Sequence, residues 1–379
     1  MTSAVTPAVT PAVIRPRPRA LAVHAGPRAL AWLRERGLQP ADVRAIPAAA
    51  GGAKGLVLNP LDRWLFGHWL PQANGGGAER PPVHLLGASI GAWRMACALL
   101  PDPVAEFTRL AEGYIDQQFD TTPGQLPTAA EVSRVFAANL QLQFGGHEAA
   151  LLQHPHWHLH VFTSRGRGPL LRRDGRLRTP LGLAGAVASN LLHRRALGGW
   201  MQRVVFSDPR APLPVPLVDF SSRQVALTPD NFHPAMQASG SIPFVLQAVH
   251  DIPGAPPGAY WDGGITDYHL HLDYAGMPDG LVLYPHFQHR VVPGWLDKPL
   301  KHRHRASPKL DNLVVLSPRP DWVAGLPGGK LPDRNDFKAF WHDPAERIRR
   351  WRGAVAAAQQ LADEAADWLA TPTQDALPL

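Results

Sequence analysis

Cysteine is nearly absent. Cys97 is the only one in 379 residues, so no intramolecular disulfide is expected and a cysteine-based zinc site is excluded. A single thiol fits a reducing compartment. Long apolar runs are missing as well. No stretch of 18 or more apolar residues occurs, so no helix is expected to span a bilayer. The opening residues, MTSAVTPAVTPAVIRPRPRA, lack the basic start and compact apolar run of an ordinary signal peptide. These absences set the expectation of a cytoplasmic protein that meets a membrane only at its periphery. No internal repeat, zinc-finger spacing or RRM-like aromatic motif is found, and no nucleic-acid partner is expected.

What is present is enough for a folded protein. Hydrophobic residues make up 45% of the chain, which supports a sizeable core. The length fits one large domain or two modest ones. The net charge is +7, from 38 basic and 31 acidic residues. The excess gathers in residues 165–176 and 301–305. A basic surface attracts anionic lipid headgroups, but a solvated face is the simpler reading of such runs.

Residues 1–19 have no periodicity and read as a tail. The apolar spacing of residues 20–37 predicts a helix closed by Gly37 and Pro40. Val43–Ile46 reads as a strand, and LVLNPLDRWLFGHWL as a helix or helix pair ending at Pro71. Val83–Gly87 reads as a buried strand and Ile90–Leu100 as a helix stopped by Pro101. Helical stretches with a proline-containing break near 121–127 lead to strands at His158–Ser164 and Met201–Ser207. Residues 181–196 read as the helix between them. VDFSS and QVALT are short and β-prone. A helix with a Ser-Ile-Pro break falls within 232–247, and late strands fall at Leu281–Tyr284 and Leu313–Leu316. Residues 345–369 form the clearest helical pattern, with Ile348, Trp351, Val355, Ala358 and Ala362 on one face. This alternation favours an α/β sheet with helices on both faces.

Gly87-Ala88-Ser89-Ile90-Gly91 is a G-x-S-x-G motif between a predicted strand and a predicted helix. A serine there stands on a sharp turn, and small residues two before and two after let the backbone fold that tightly. The helix start at Ile90 adds a positive dipole end near a developing oxyanion. Upstream, Ala50-Gly51-Gly52-Ala53-Lys54-Gly55 follows a strand, and its glycines allow N–H groups to converge on one oxygen. Two readings compete for the base. A Ser-His-Asp triad would draw on a late histidine such as His286, His289, His302 or His342. A carboxylate acting directly would be Asp262 in Tyr260-Trp261-Asp262-Gly263-Gly264, where the glycines let the chain turn at once.

Together, Gly51-Gly52-x-Lys54-Gly55, Gly87-x-Ser89-x-Gly91, Ala238-Ser239-Gly240-Ser241-Ile242-Pro243-Phe244 and Asp262-Gly263-Gly264 resemble the patatin-like phospholipases in order and separation. The resemblance covers about residues 48–267. It implies a three-layer α/β/α fold with a central, mostly parallel sheet. Residues 20–379 would form one such domain, with 270–379 as its C-terminal extension. It implies a Ser89–Asp262 dyad, an oxyanion hole from Gly51, Gly52 and Ala53, and motif support from Lys54, Gly55, Gly87, Gly91, Gly263 and Gly264. The activity implied is cleavage of lipid carboxylic esters through an acyl-enzyme, with no cofactor and no metal. The alternatives are an esterase or polyester depolymerase with a histidine triad, and a non-catalytic lipid-binding protein. The chain differs from the pattern at Ala50, where a third glycine is usual, and at Lys54, where arginine is usual. It differs again at Ile265–His269, which follow the second glycine of the Asp-Gly-Gly segment.

HPHWHLH would place His156, His158 and His160 on one side of a strand, as metal ligands require, though polar surface or half-buried histidines are the reading adopted. Trp64, Trp69 and Trp93 flank the active loops and serve either core packing or an acyl pocket. Cys97 reads as an inert packing residue.

Overall fold

The computed structural model describes residues 18–76, 81–119, 125–277 and 280–379. The predicted tail 1–19 falls almost wholly outside the described residues, as does part of the break near 121–127.

The strands are β1 (Leu21–Ala25), β2 (Val43–Ala48), β3 (Val83–Ala88), β4 (Trp157–Gly166), β5 (Met201–Ser207), β6 (Ser222–Ala226), β7 (Val249–His250), β8 (Ala259–Asp262), β9 (Leu281–Pro285), β10 (Leu313–Pro318) and β11 (Leu377–Pro378). They form one sheet in the order β11-β1-β10-β9-β2-β3-β4-β5-β6, with the β7–β8 pair attached through β8 to β4. The run β10-β9-β2-β3-β4 is parallel, β1 joins β10 antiparallel, and β5 and β8 join β4 antiparallel. The helices of eight residues or more are α1 (Pro27–Arg36), α2 (Ile90–Cys97), α3 (Pro103–Ile115), α4 (Ala129–Phe144), α5 (Arg178–Leu192), α6 (Pro229–Ser239), α7 (Pro344–Ala357) and α8 (Gln359–Ala370). A mostly parallel sheet flanked by helices is a three-layer α/β/α arrangement.

Local chemistry accounts for much of this. Every residue of β3, β9 and β10 is buried, and their apolar runs suit strands covered on both faces. Proline opens α1, α3, α6 and α7, where its missing N–H costs nothing. Asp102, Thr128 and Asp343 cap α3, α4 and α7 by accepting from the N–H three residues on.

Several element expectations need correction. Residues 20–37 are not one helix. Leu21, Val23 and Ala25 alternate inward in β1 against β10, and the helix begins only at Pro27. The period of two was hidden in an apolar-rich run. The long C-terminal helix is two, divided at Ala358, a buried residue with no proline or glycine to mark the break. The helix expected at 181–196 runs from Arg178 to Leu192, followed by a 3-10 turn, and VDFSS contributes only Ser222 to β6. Residues 56–70 form 3-10, α and π turns in succession. Residues 270–379, expected as an extension, supply β9 and β10 to the middle of the sheet, with β9 directly beside β2.

Candidate active site

Sheet register brings the motifs together. β2 and β3 are parallel neighbours, with Ala48 beside Gly87, so the glycine loop and the Ser89 turn leave the sheet side by side. β3 pairs with β4 as far as Ala88↔Phe162, and β8 pairs with the same strand from Thr163↔Asp262 onward. Because β5 occupies the other edge of β4, β3 and β8 lie end to end along one edge. Their C-terminal ends meet head-on, and there Ser89 Oγ donates to Asp262 Oδ2 at 2.7 Å.

Ser89 has φ +55° and ψ −130°, a conformation L-residues rarely hold, and α2 begins at the next residue. The flanking glycines are sterically required. A Cβ on Gly87 would sit 2.3 Å from Ala92 Cα, and one on Gly91 would sit 1.9 Å from the Ala48 carbonyl. At Gly263 it would meet the Phe162 carbonyl at 2.1 Å. At Gly264 it would meet the Ala50 methyl at 2.7 Å, so the alanine that replaces the usual glycine in the loop is packed against a glycine across the site. Gly55 is different: a Cβ there would make only ordinary contact, at 3.5 Å from Ile90.

The segment Ala238–Phe244 staples Ser89 and Asp262 in place. Ser239 Oγ accepts from Ser89 N at 2.9 Å and donates to the Phe162 carbonyl at 2.8 Å. The carbonyls of Ser241 and Ser239 accept from Asp262 N and Gly263 N. Ser89 N is therefore spent on positioning. Asp262 Oδ1 accepts from Gly264 N at 2.7 Å, which fixes the carboxylate and leaves Oδ2 for the serine. Burial pushes the Asp262 carboxyl up to about 6, against the hydrogen bonds from Ser89 and Gly264 and the nearby Arg334 and Lys298.

In the glycine loop, the first internal backbone bond runs from Lys54 N to the Gly51 carbonyl at 3.4 Å. The N–H groups of Gly51, Gly52 and Ala53 precede it and have no backbone acceptor among the described residues. Gly51 and Gly52 line the cavities beside Ser89, whereas Ala53 is fully buried behind them. Gly51 also carries the Phe287 ring where a Cβ would be, 2.5 Å away. Lys54 extends toward Asp333, at 4.0 Å, and over the Phe287 ring.

Two cavities meet at Ser89. One, of about 380 Å³, is walled by Ile90, Trp93, Leu110, Phe136, Leu142 and Ile242. The other, of about 80 Å³, includes Asp262, Lys54, Lys298, Arg334, Asp333 and Trp295. Tyr114 stands between them, lining both. Lys298 lies 3.9 Å over the Tyr268 ring, and neither it nor Arg334 has a carboxylate partner within ion-pair distance among the described residues. Partial burial, with Lys54 and Arg334 nearby, brings Lys298 down to about 8. Both cation-bearing loops are tied down next to the cation. Buried Asp297 accepts from Asn190, Arg194 and Arg303, and Asp336 from Lys330, Trp351 and Asp333 N.

Among the described residues no histidine hydrogen-bonds Ser89 or Asp262, and none lines either cavity. His286 is buried against Tyr284 and Phe287, and His289 stacks on His24. His156 precedes β4, while His158 and His160 share one of its faces with His84 of β3. No cluster of three or more His, Cys, Asp or Glu able to hold a metal ion occurs among the described residues. Trp93 lines the larger cavity, whereas Trp64 and Trp69 stack on each other in the core. Cys97 is buried within α2.

Sequence reasoning named Ser89, Asp262 and the glycines, but gave no role to Ser239, Tyr114, Lys298 or Arg334. Ser239 lay within a quoted motif, so a signal existed. The other three carry no local pattern. No protein-family model matches the chain, and no curated protein matches it.

Proposed function

We propose that the protein is a serine acyl hydrolase of the patatin type, acting on lipid carboxylic esters through Ser89 and Asp262. The observation that carries this reading is the 2.7 Å hydrogen bond from a strained, cavity-facing serine to a buried carboxylate whose other oxygen is fixed. Asp262 takes the Ser89 proton as Oγ attacks the ester carbonyl. The oxyanion accepts from the N–H groups of Gly51 and Gly52. On collapse, the protonated Asp262 gives its proton to the departing alkoxide, leaving an acyl group on Ser89. Water attacks that ester with Asp262 again as base, which frees the acid and restores the serine. The larger, apolar cavity suits the acyl chain. The smaller one, with Lys298 and Arg334, suits a leaving group that carries negative charge.

The test is a fluorophosphonate probe together with a water-soluble short-chain ester. Wild type should be labelled and should hydrolyse the ester, and Ser89→Ala should do neither. An unlabelled wild type, or equal labelling of Ser89→Ala, overturns the reading.

A further inference from the structure

Helix α5 is built with its apolar side outward. Its buried positions are Thr179, Gly182, Ala186 and Asn190. Its exposed positions include Leu181 at 60%, Val187 at 39%, Leu191 at 51% and Leu192 at 86%, and Leu177 just before it is 76% exposed. No charged residue stands between Arg178 and His193. A solvated helix carries polar residues on its outer face, and α5 does not. The inner face is made of small residues because the helix presses close to its neighbours. A Cβ on Gly182 would meet Leu171 at 2.5 Å, and one on Gly185 would meet the Trp200 ring at 2.3 Å.

Both ends of this face are cationic. Arg172, Arg173, Arg176 and Arg178 cluster before and at the helix start, and Arg195 follows its end. Among the described residues, none of these five guanidinium groups takes part in an ion pair. The one acid in the stretch, Asp174, is held by His250 at 2.9 Å. The helix is also tied to the proposed active site. Asn190 Nδ2 donates to Asp297 Oδ1 at 2.9 Å, and α5 shares a packed cluster with Trp295, which lines the smaller cavity. A second apolar exposure borders the same cavities. Phe244, 66% exposed, and Val245 follow the cavity residue Ile242, and Phe244 holds φ +68°. A phenylalanine strained into the left-handed region with its ring in water calls for a partner to cover it.

We propose that the outer face of α5, flanked by these arginines, together with the exposed Phe244 and Val245, docks the protein on an anionic lipid–water interface. This inference rests on the acyl-hydrolase reading, since Phe244 and Val245 closely follow Ile242, which lines both cavities at Ser89. The charge pattern selects the partner. An apolar strip between unpaired arginines matches hydrocarbon overlain by anionic headgroups. A second copy meeting this one two-fold through α5 would bring arginine clusters against one another.

The experiment is co-sedimentation with vesicles of phosphatidylcholine alone and of phosphatidylcholine with phosphatidylglycerol, using the full chain. Wild type should partition onto the anionic vesicles. Leu181→Glu/Leu192→Glu should lose about 10-fold or more of that affinity, while hydrolysing a water-soluble short-chain ester at the wild-type rate. Arg176→Gln/Arg195→Gln should lose about 5-fold per arginine on anionic vesicles only. No binding by wild type, or equal binding by the leucine variant, overturns the docking face. So does a wild-type dimer that the leucine variant breaks without change in vesicle binding, since a second copy would then cover the face. The two readings fail separately. Soluble-ester hydrolysis without vesicle binding removes the docking face alone, and vesicle binding without any ester hydrolysis removes the hydrolase reading alone.

Discussion

Strands β3 and β4 carry polar side chains at both ends, and the two ends have opposite character. At the C-terminal end Ser89 is strained, faces open cavities and hydrogen-bonds a carboxylate whose pKa is raised to about 6. At the other end His84 Nδ1 lies 2.9 Å from His160 Nε2, and His158 lies 3.1 Å from Asp208, which Arg210 also grips. These histidines are at most 7% exposed, and burial holds His84 down to about 4 and holds His160 well below its ordinary value. Both ends hold perturbed titratable groups. Only one combines them with backbone strain and room for a ligand. Perturbed ionisation alone does not mark a reactive site, because packing produces it as readily as catalysis does.

The sharpest way to break this contrast is at the dyad. Ser89→Ala and Asp262→Asn should each lower kcat for a soluble ester by about 10³-fold or more. Asp262→Asn should also stabilise the fold. The Asp262 pKa is raised in the folded state, so ionising it costs stability as pH rises from about 4 through about 6. Removing the charge should return on the order of 2–3 kcal/mol at pH 7 in urea unfolding. If the variant is no more stable, the carboxylate is not desolvated as described.

Glycine substitutions come next. Gly91→Ala forces a Cβ to 1.9 Å from a carbonyl oxygen and should cost about 3 kcal/mol or more, read by chemical denaturation. Gly55→Ala meets only ordinary contacts and should stay within about 0.5 kcal/mol of wild type. Equal costs would mean that the loop and the serine turn are under the same constraint.

The two ends also differ in pH response. Activity should rise through pH about 6 as Asp262 ionises. The pKa values of His84 and His160 are lowered in the folded state, so their contribution to stability is present above pH about 6.5 and is lost as pH falls toward about 4. His84→Leu/His160→Leu should flatten that acid loss in unfolding measured from pH 7 to 4.5, and leave kcat at pH 7 within about 3-fold. A larger loss of activity would couple the two ends. The smallest effect belongs to the cationic recess. Lys298→Ala and Arg334→Ala should each lower kcat/KM by about 5-fold for an ester with an anionic leaving group, and leave a neutral ester unchanged. For Lys298 that preference should fade above pH about 8 in wild type.

The α/β class was legible because buried parallel strands such as Val83–Gly87 and Leu281–Tyr284 are short apolar runs bounded by glycine or proline. β1 was not, since its alternation lies within a run that also fits a helix, and only its pairing with β10 decides between them. The break at Ala358 leaves no trace in the residues. The helix after Ser89 and its stop near Pro101 were readable, and the order of strands in the sheet was not.

At the site, the serine turn was fixed by local sterics. Gly87 is demanded by Ala92 within the turn and Gly91 by the Ala48 carbonyl on the adjacent strand, so the five-residue pattern records both the turn and its packing on β2. The partner was a different matter. Asp262 meets Ser89 because β3 and β8 end against each other along β4, and none of the histidines that competed for the role lines either cavity. Ser239 holds Ser89 N from 150 residues away. Lys298 and Arg334 enter the smaller cavity from loops anchored by buried carboxylates. Sequence alone determined the sharp turn at Ser89, because its glycine spacing lies within five consecutive residues. Tertiary structure decided which groups surround it, because those contacts exist only once distant segments share one edge of the sheet.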